Sequence, residues 1–162
     1  LETTNPRVIE LAIEYIRKEF EKNKWAKDAD VCIAMGPGDG GGLSVSPESQ
    51  NAGVDRKSPD SGQPDGTDLI VLFINTILEK TKEEFPNLKL GFFLYSWHAD
   101  YPMRYQPDPR LAIEIADINF SRLHGVGDES SKSRYYYKNI LEQWGNLHKK
   151  QGNVMQRPAQ CV

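Results

Sequence analysis

Cysteine is scarce in this 162-residue chain: there are two, Cys32 and Cys161. That is too few for a disulfide framework. Cys32 falls in a short apolar run, where a small buried thiol is expected, and neither cysteine has neighbours at metal-ligand spacing. Long hydrophobic runs are also missing, and no segment is apolar for long enough to span a bilayer as a helix. Positive charge is not in excess. Lys and Arg number 20 against 23 Asp and Glu, a net charge of −3, with no long run of one sign. A nucleic-acid partner is therefore not expected, because binding phosphates needs a basic face. No secretory leader is present, but the chain opens at Leu1. The remainder of a larger polypeptide is expected, and the missing leader carries no weight. No Gly-Lys-Ser/Thr ends a glycine loop, no Gly-x-Ser-x-Gly elbow occurs, and no His/Cys/Asp cluster has metal spacing. No cofactor is expected.

What is present centres on Val31-Cys32-Ile33-Ala34-Met35 and the following Gly36-Pro37-Gly38-Asp39-Gly40-Gly41-Gly42. A run of β-formers stops at glycine and proline. Five glycines in seven residues let the backbone turn sharply around one carboxylate, Asp39. This pattern reads as a buried strand presenting a single acid at its C-terminal end. Ligands bind at that end of parallel α/β sheets. The plainer alternative is a turn whose Asp caps the backbone.

Asn5-Pro6 opens a helix, a capping side chain followed by proline at the first helical position. Its apolar face is read as Val8, Leu11, Ala12, Tyr15, Ile16 and Phe20. Residues 36–66 form a long insertion rich in Gly, Ser, Pro and Asp, expected to be a binding loop or lid without regular structure. Asp65-Gly66-Thr67-Asp68 starts a second helix with Ile70, Phe73, Ile74, Ile77, Leu78 and Phe85 buried, and Pro86 ends it. Asn75 beside that stripe bonds a neighbouring backbone group. Lys89–Trp97 is apolar at consecutive positions, which predicts a strand covered on both faces in a parallel sheet. Residues 108–123 fit a helix or a bulged strand, and their place in the chain favours a strand over about 112–121. A last helix starts near Ser130–Ser133 and buries Tyr137, Ile140, Leu141, Trp144 and Leu147. Gly152 ends it, and Asn153-Val154-Met155 could open another strand.

Helices and strands thus alternate, which means βαβ units. The expected fold is α/β: a mainly parallel sheet with flanking helices over 1–155, followed by a tail at 156–162. A closed (β/α)8 barrel needs about 250 residues. The chain is therefore read as a partial, TIM-barrel-like unit.

The run Ala34–Gly42 resembles the strand-loop signature of an uncharacterised bacterial family of glycoside-hydrolase-like barrel domains. Leu72-Phe73-Ile74-Asn75, Pro86–Gly91 leading to Tyr95-Ser96, and the late helix with Leu141 and Trp144 follow in the same order, so the resemblance spans about 5–150. It implies an architecture allied to α-glucuronidases and β-hexosaminidases, a carbohydrate ligand, and an extracellular or periplasmic location. In the family, cysteines often follow the glycine loop. Here Ser44–Ser49 stands there instead, so any role of those thiols is closed to this chain.

Glycoside hydrolysis needs two carboxyl groups flanking the bond. Asp39 is the first candidate acid. Asp100, after the next strand, is its expected partner, with Glu48, Asp128 and Glu129 as alternatives. His98 would donate to a sugar hydroxyl or adjust a carboxyl pKa, unless the loop backbone satisfies it. Trp97 and Tyr101 would stack on sugar rings, or pack at the sheet rim. Arg122 and His124 follow the third strand. Arg122 would clamp a uronate carboxylate, or make a structural ion pair. Three hypotheses compete: a glycoside hydrolase-like domain, a non-catalytic carbohydrate-binding domain, and an inactive barrel fragment with an exposed apolar sheet face.

Overall fold

The computed structural model describes residues 2–38, 42–54, 57–58, 62, 64–94, 96–116 and 120–150. The first helix, α1 (Pro6–Asn23), starts where the sequence places it. The Asn5 carboxamide oxygen accepts from the Arg7 N–H at 2.8 Å, and Pro6 occupies the first turn. Lys24, at φ 54°, closes the helix in the left-handed region. The buried seam runs through Ile9, Ile13, Ile16 and Phe20. Leu11 and Tyr15, expected on that seam, are 49 % and 43 % exposed. The spacing of four, three and four residues in the seam leaves both to one side of it.

Strands β1 (Cys32–Ala34), β2 (Lys89–Leu94) and β3 (Leu111–Ile115) form one sheet in that order, and both pairings are parallel. Helix α3 (Thr67–Thr81) lies between β1 and β2 in the chain. Among the described residues, the β2–β3 connection has no α-helix, only a 3₁₀ turn at Ser96–His98. Helix α4 (Lys132–Lys150) follows β3. The expected α/β class with a parallel sheet is present. The described strands number three and do not close a barrel.

Pairing register sorts the side chains. Ile33 stands beside Leu90, Leu90 beside Leu111, Phe92 beside Ile113, and Leu94 beside Ile115. These join Ile16 and Phe20 of α1, Ile74, Ile77 and Leu78 of α3, and Ile140 and Trp144 of α4 in one core. The opposite face is thinner. Ala34, Gly91 and Ala112 align across it, and Phe93 beside Glu114 is 51 % exposed. The double cover expected for β2 is therefore not found on the Phe93 side. The unbroken apolar run comes from Phe93 itself, not from a second layer of helices.

Three further expectations shift. The third strand is Leu111–Ile115, not 112–121. The Leu111, Ile113, Ile115 alternation is the real strand signal. Phe120 lies beyond the strand and rests on Tyr137, ring centroids 4.5 Å apart. The insertion is not structureless, because α2 (Pro47–Asn51) forms within it, capped when the Ser46 hydroxyl accepts from the Ser49 N–H at 3.1 Å. Lys57 and Pro64 make a single bridge. Cys32, expected as a thiol, is disulfide-bonded. The strand proposed at 153–155 and the tail at 156–162 lie outside the described residues.

The Asn75 expectation holds. Its amide donates to the Gln106 carbonyl at 2.9 Å and its oxygen accepts from the Asp108 N–H at 2.8 Å. Arg110 forks onto Asp108 and also donates to the Leu78 carbonyl at 3.2 Å. These contacts tie the entry of β3 to α3. Burial raises the Asp108 carboxyl pKa, but the Arg110 hydrogen bonds outweigh it and hold the group below its ordinary value.

Candidate functional site

At the end of β1 the Met35 N–H donates to the Gly91 carbonyl at 2.7 Å, so the chain still follows β2 as it leaves the strand. The next residue must be glycine. A Cβ on Gly36 would stand 2.9 Å from the Phe92 Cβ. Met35, Gly36, Pro37 and Gly38 then make one wall of a cleft of about 310 Å³. Leu69, Ile70 and Phe73, from the first turns of α3, make the facing wall, and Trp97 borders it. Thr3, Gly42 and Leu43 complete the lining. The cleft lies at the C-terminal end of β1, the end at which the sequence reading expects a ligand.

Trp97 is set by backbone, not by its rotamer alone. Ser96 just before it has φ 52°, a left-handed conformation that a serine holds only when its surroundings enforce it. The Trp97 carbonyl accepts from the Gly66 N–H at 2.8 Å. Gly66, the N-cap of α3, leaves room for the indole. A Cβ there would fall 2.5 Å from the Trp97 Cζ3 and 2.7 Å from the Leu43 Cδ2. One glycine therefore brings the helix start, the indole and the insertion into contact.

His98 is 1 % exposed and meets Trp97 edge to face, centroids 4.4 Å apart at 86°. Burial pushes its imidazole below the ordinary histidine value, against backbone hydrogen bonds at His98 and Phe93 and the nearby Asp65 carboxylate. It stands behind the aromatic wall. Asp100 accepts a hydrogen bond from the Tyr136 hydroxyl of α4. Tyr101 meets Trp144 of α4 edge-on at 5.8 Å. Arg122 and His124 are exposed on the loop after β3, with the His124 Nδ1 2.6 Å from the Ser121 Oγ. Asp39 lies outside the described residues, and Gly38 and Gly42 to either side of it line the cleft. Of the expected site residues, the described lining includes Trp97, with His98 directly behind it. Asp100 and Tyr101 turn to α4. Among the alternative acids, Glu48 is exposed on α2, and Asp128 accepts from the Ser130 N–H and hydroxyl, which lower its pKa.

Two carboxylates that the sequence reading did not single out organise the surroundings. Asp68, 2 % exposed on the first turn of α3, accepts from three consecutive N–H groups in the β2–β3 loop: Met103 at 3.0 Å, Arg104 at 2.9 Å and Tyr105 at 3.3 Å. Glu2 accepts from the hydroxyls of Thr4, Ser44 and Ser49, the last at 2.6 Å. The hydrogen bonds from Ser44 and then the other hydroxyls hold its carboxyl far below the usual carboxylate range. Glu2 thereby anchors the insertion beside the cleft. An acid in a helix's first turn signals a cap, and nothing local reveals that Asp68 reaches a loop 35 residues away.

Among the described residues, no helix is long and apolar enough to cross a membrane. Nor do any three His, Cys, Asp or Glu side chains gather as a metal site among them. The fold and cleft define an α/β domain with a ligand-sized opening at the C-terminal end of a parallel sheet. Over residues 1–152 the chain matches, and belongs to, the family described as domain of unknown function DUF4838. No curated protein and no solved structure matches it.

Proposed function

We propose that this domain binds carbohydrate in the cleft above β1, with Trp97 as the platform on which a sugar ring stacks. The observation that carries this reading is the aromatic wall itself. An indole borders a cleft of about 310 Å³ at a strand's C-terminal end, beside a backbone held at positive φ and against a glycine N-cap. The C–H faces of sugars are apolar and suit such a platform. In this reading Asp39, which follows the lining residue Gly38 in sequence, is the substrate anchor. Binding is favoured over hydrolysis for a specific reason. Hydrolysis needs two carboxyl groups flanking one bond, and Asp100, the expected partner acid, is engaged by Tyr136 of α4. A glycoside hydrolase-like barrel of which this chain is one part, working outside the cytoplasm, remains the architectural proposal. The disulfide at Cys32 suits an oxidising compartment.

The test is a glycan array probed with wild type, Trp97→Ala and Asp39→Asn, followed by hydrolysis assays on every hit. Losing the stacking surface weakens binding about tenfold or more, since a large aromatic contact combines area burial with ring geometry. Asp39→Asn weakens anchoring without abolishing stacking. An array on which wild type binds nothing, or on which Trp97→Ala equals wild type, removes the proposal. Hydrolysis by wild type that Asp39→Asn abolishes would promote the domain from binder to enzyme.

A further inference from the structure

Six large apolar side chains form the walls of the cleft: Met35, Leu43, Leu69, Ile70, Phe73 and Trp97. The polar groups of the described lining residues are backbone groups, the Trp97 indole N–H and one hydroxyl. Thr3 brings the one side-chain hydroxyl there, and its Oγ1 is buried. Gly36, Gly38 and Gly42 bring backbone groups alone. An unsubstituted hexose carries a hydroxyl on most ring carbons. Each hydroxyl pressed against these walls gives up water and finds no partner, which costs affinity. A methyl group in the same position gains by burial. The cleft is also small. At about 310 Å³ it sits at the low end of ligand pockets, with room for one ring and not for a chain of them.

Resting on the carbohydrate reading above, we propose that the cleft selects a terminal or branch sugar bearing a methyl-ended substituent, either a 6-deoxy ring or an acetyl ester. The methyl group lies against Leu69, Ile70 and Phe73. One ring face stacks on Trp97, and the hydroxyls point to the opening, where water and the backbone of Gly36, Gly38 and Gly42 serve them. The apolar walls thus set specificity as well as affinity. For the 6-deoxy rings the hydroxylated counterpart is rejected because its extra oxygen meets aliphatic carbon, and for the ester the deacetylated form lacks the methyl group to bury.

Matched ligands test this on the wild-type protein. Oligosaccharides ending in L-fucose are compared with the same chains ending in L-galactose, L-rhamnose ends with L-mannose ends, and acetylated xylo-oligosaccharides with their deacetylated forms. Affinities come from calorimetry and from competition on the array. The expected result is tighter binding of the methyl-bearing member in at least one pair by about tenfold or more, the discrimination a hydrophobic pocket gives for such a difference. Leu43→Asn, at the half-buried mouth, is expected to narrow that ratio below about threefold. Should Leu43→Asn fail to fold, the wild-type ratios decide alone. Measurable binding with equal affinity inside every pair overturns the selection and leaves the carbohydrate reading standing. No binding of any member overturns both.

Discussion

Removing the Asp68 carboxylate should cost this domain a large part of its stability. Its side chain is 2 % exposed, and its two oxygens receive the N–H groups of Met103, Arg104 and Tyr105 at 2.9–3.3 Å. Hydrogen bonds to a charged acceptor are worth about 1.5–3 kcal/mol each when one partner is deleted. The three are not additive, because one oxygen serves all of them and the Tyr105 contact is long. Met103 is 72 % exposed, so water can reach part of the vacated amide row. A favourable charge in the first turn of α3 is lost too, worth about 0.3–1 kcal/mol. Asp68→Ala should therefore destabilise by about 2–4 kcal/mol, and Asp68→Asn, which keeps one acceptor oxygen, by about half of that. In a domain of this size such a loss lowers Tm by roughly 5–15 °C. Urea unfolding followed by circular dichroism measures the free energy. Hydrogen exchange of the 103–105 amides provides the local test. These loop amides should be protected in wild type and should exchange freely in the variant while α3 stays protected. A change under about 0.5 kcal/mol, or unprotected 103–105 amides in wild type, would show that the carboxylate does not hold this loop.

Two other perturbations have worked signs. Gly66→Ala places a methyl 2.5 Å from the Trp97 ring and 2.7 Å from Leu43, so one of them must move. The expected cost is about 1–3 kcal/mol together with a shifted tryptophan fluorescence spectrum, and an unchanged spectrum at unchanged stability would refute the contact. Burial, opposed by local hydrogen bonds and by Asp65, holds the folded-state pKa of His98 below its ordinary value of 6.5. The unfolded chain takes up the proton first, so this contribution to stability is complete above that value and is lost as pH falls below it. Between about pH 7.5 and 5, wild-type Tm should then fall further than that of His98→Gln. Parallel curves would count against a buried neutral imidazole.

The fold was legible where one residue decides one local event. Asn5-Pro6 predicts its helix start because the cap bond spans two residues. The β2 run predicts a strand of a parallel sheet, although the cover on both faces that such a run implies is absent at Phe93. Asn75 was read correctly from its place beside a buried stripe. Misreadings arose where burial depends on distant partners. Leu11 and Tyr15 have helical spacing, but the sheet and α3 choose the Ile13–Ile16–Phe20 seam. Phe93 reads like its neighbours, and only the sheet's pairing shows that it faces away from the helices. The insertion looked structureless because its order comes from Glu2, some 40 residues upstream, and from Ser44 and Ser49 within it.

The same division explains the site. The place of the cleft was readable, since glycine after a buried strand marks where a chain leaves a sheet. The cast was not. Trp97, His98, Asp100 and Tyr101 are adjacent in sequence, yet the Ser96 turn sends them apart: Trp97 to the cleft, His98 behind it, and Asp100 and Tyr101 to α4. Side chains at successive positions of an irregular turn share no face, so a cluster in sequence becomes three different environments. The partners that decide among those environments are Gly66, Tyr136 and Trp144, and all three lie on elements more than 30 residues away. The far walls of the cleft, Leu69, Ile70 and Phe73, looked like ordinary core positions of α3 for the same reason. Their spacing predicts burial, and only the glycine at the head of the helix, by admitting the indole, leaves an opening in front of them.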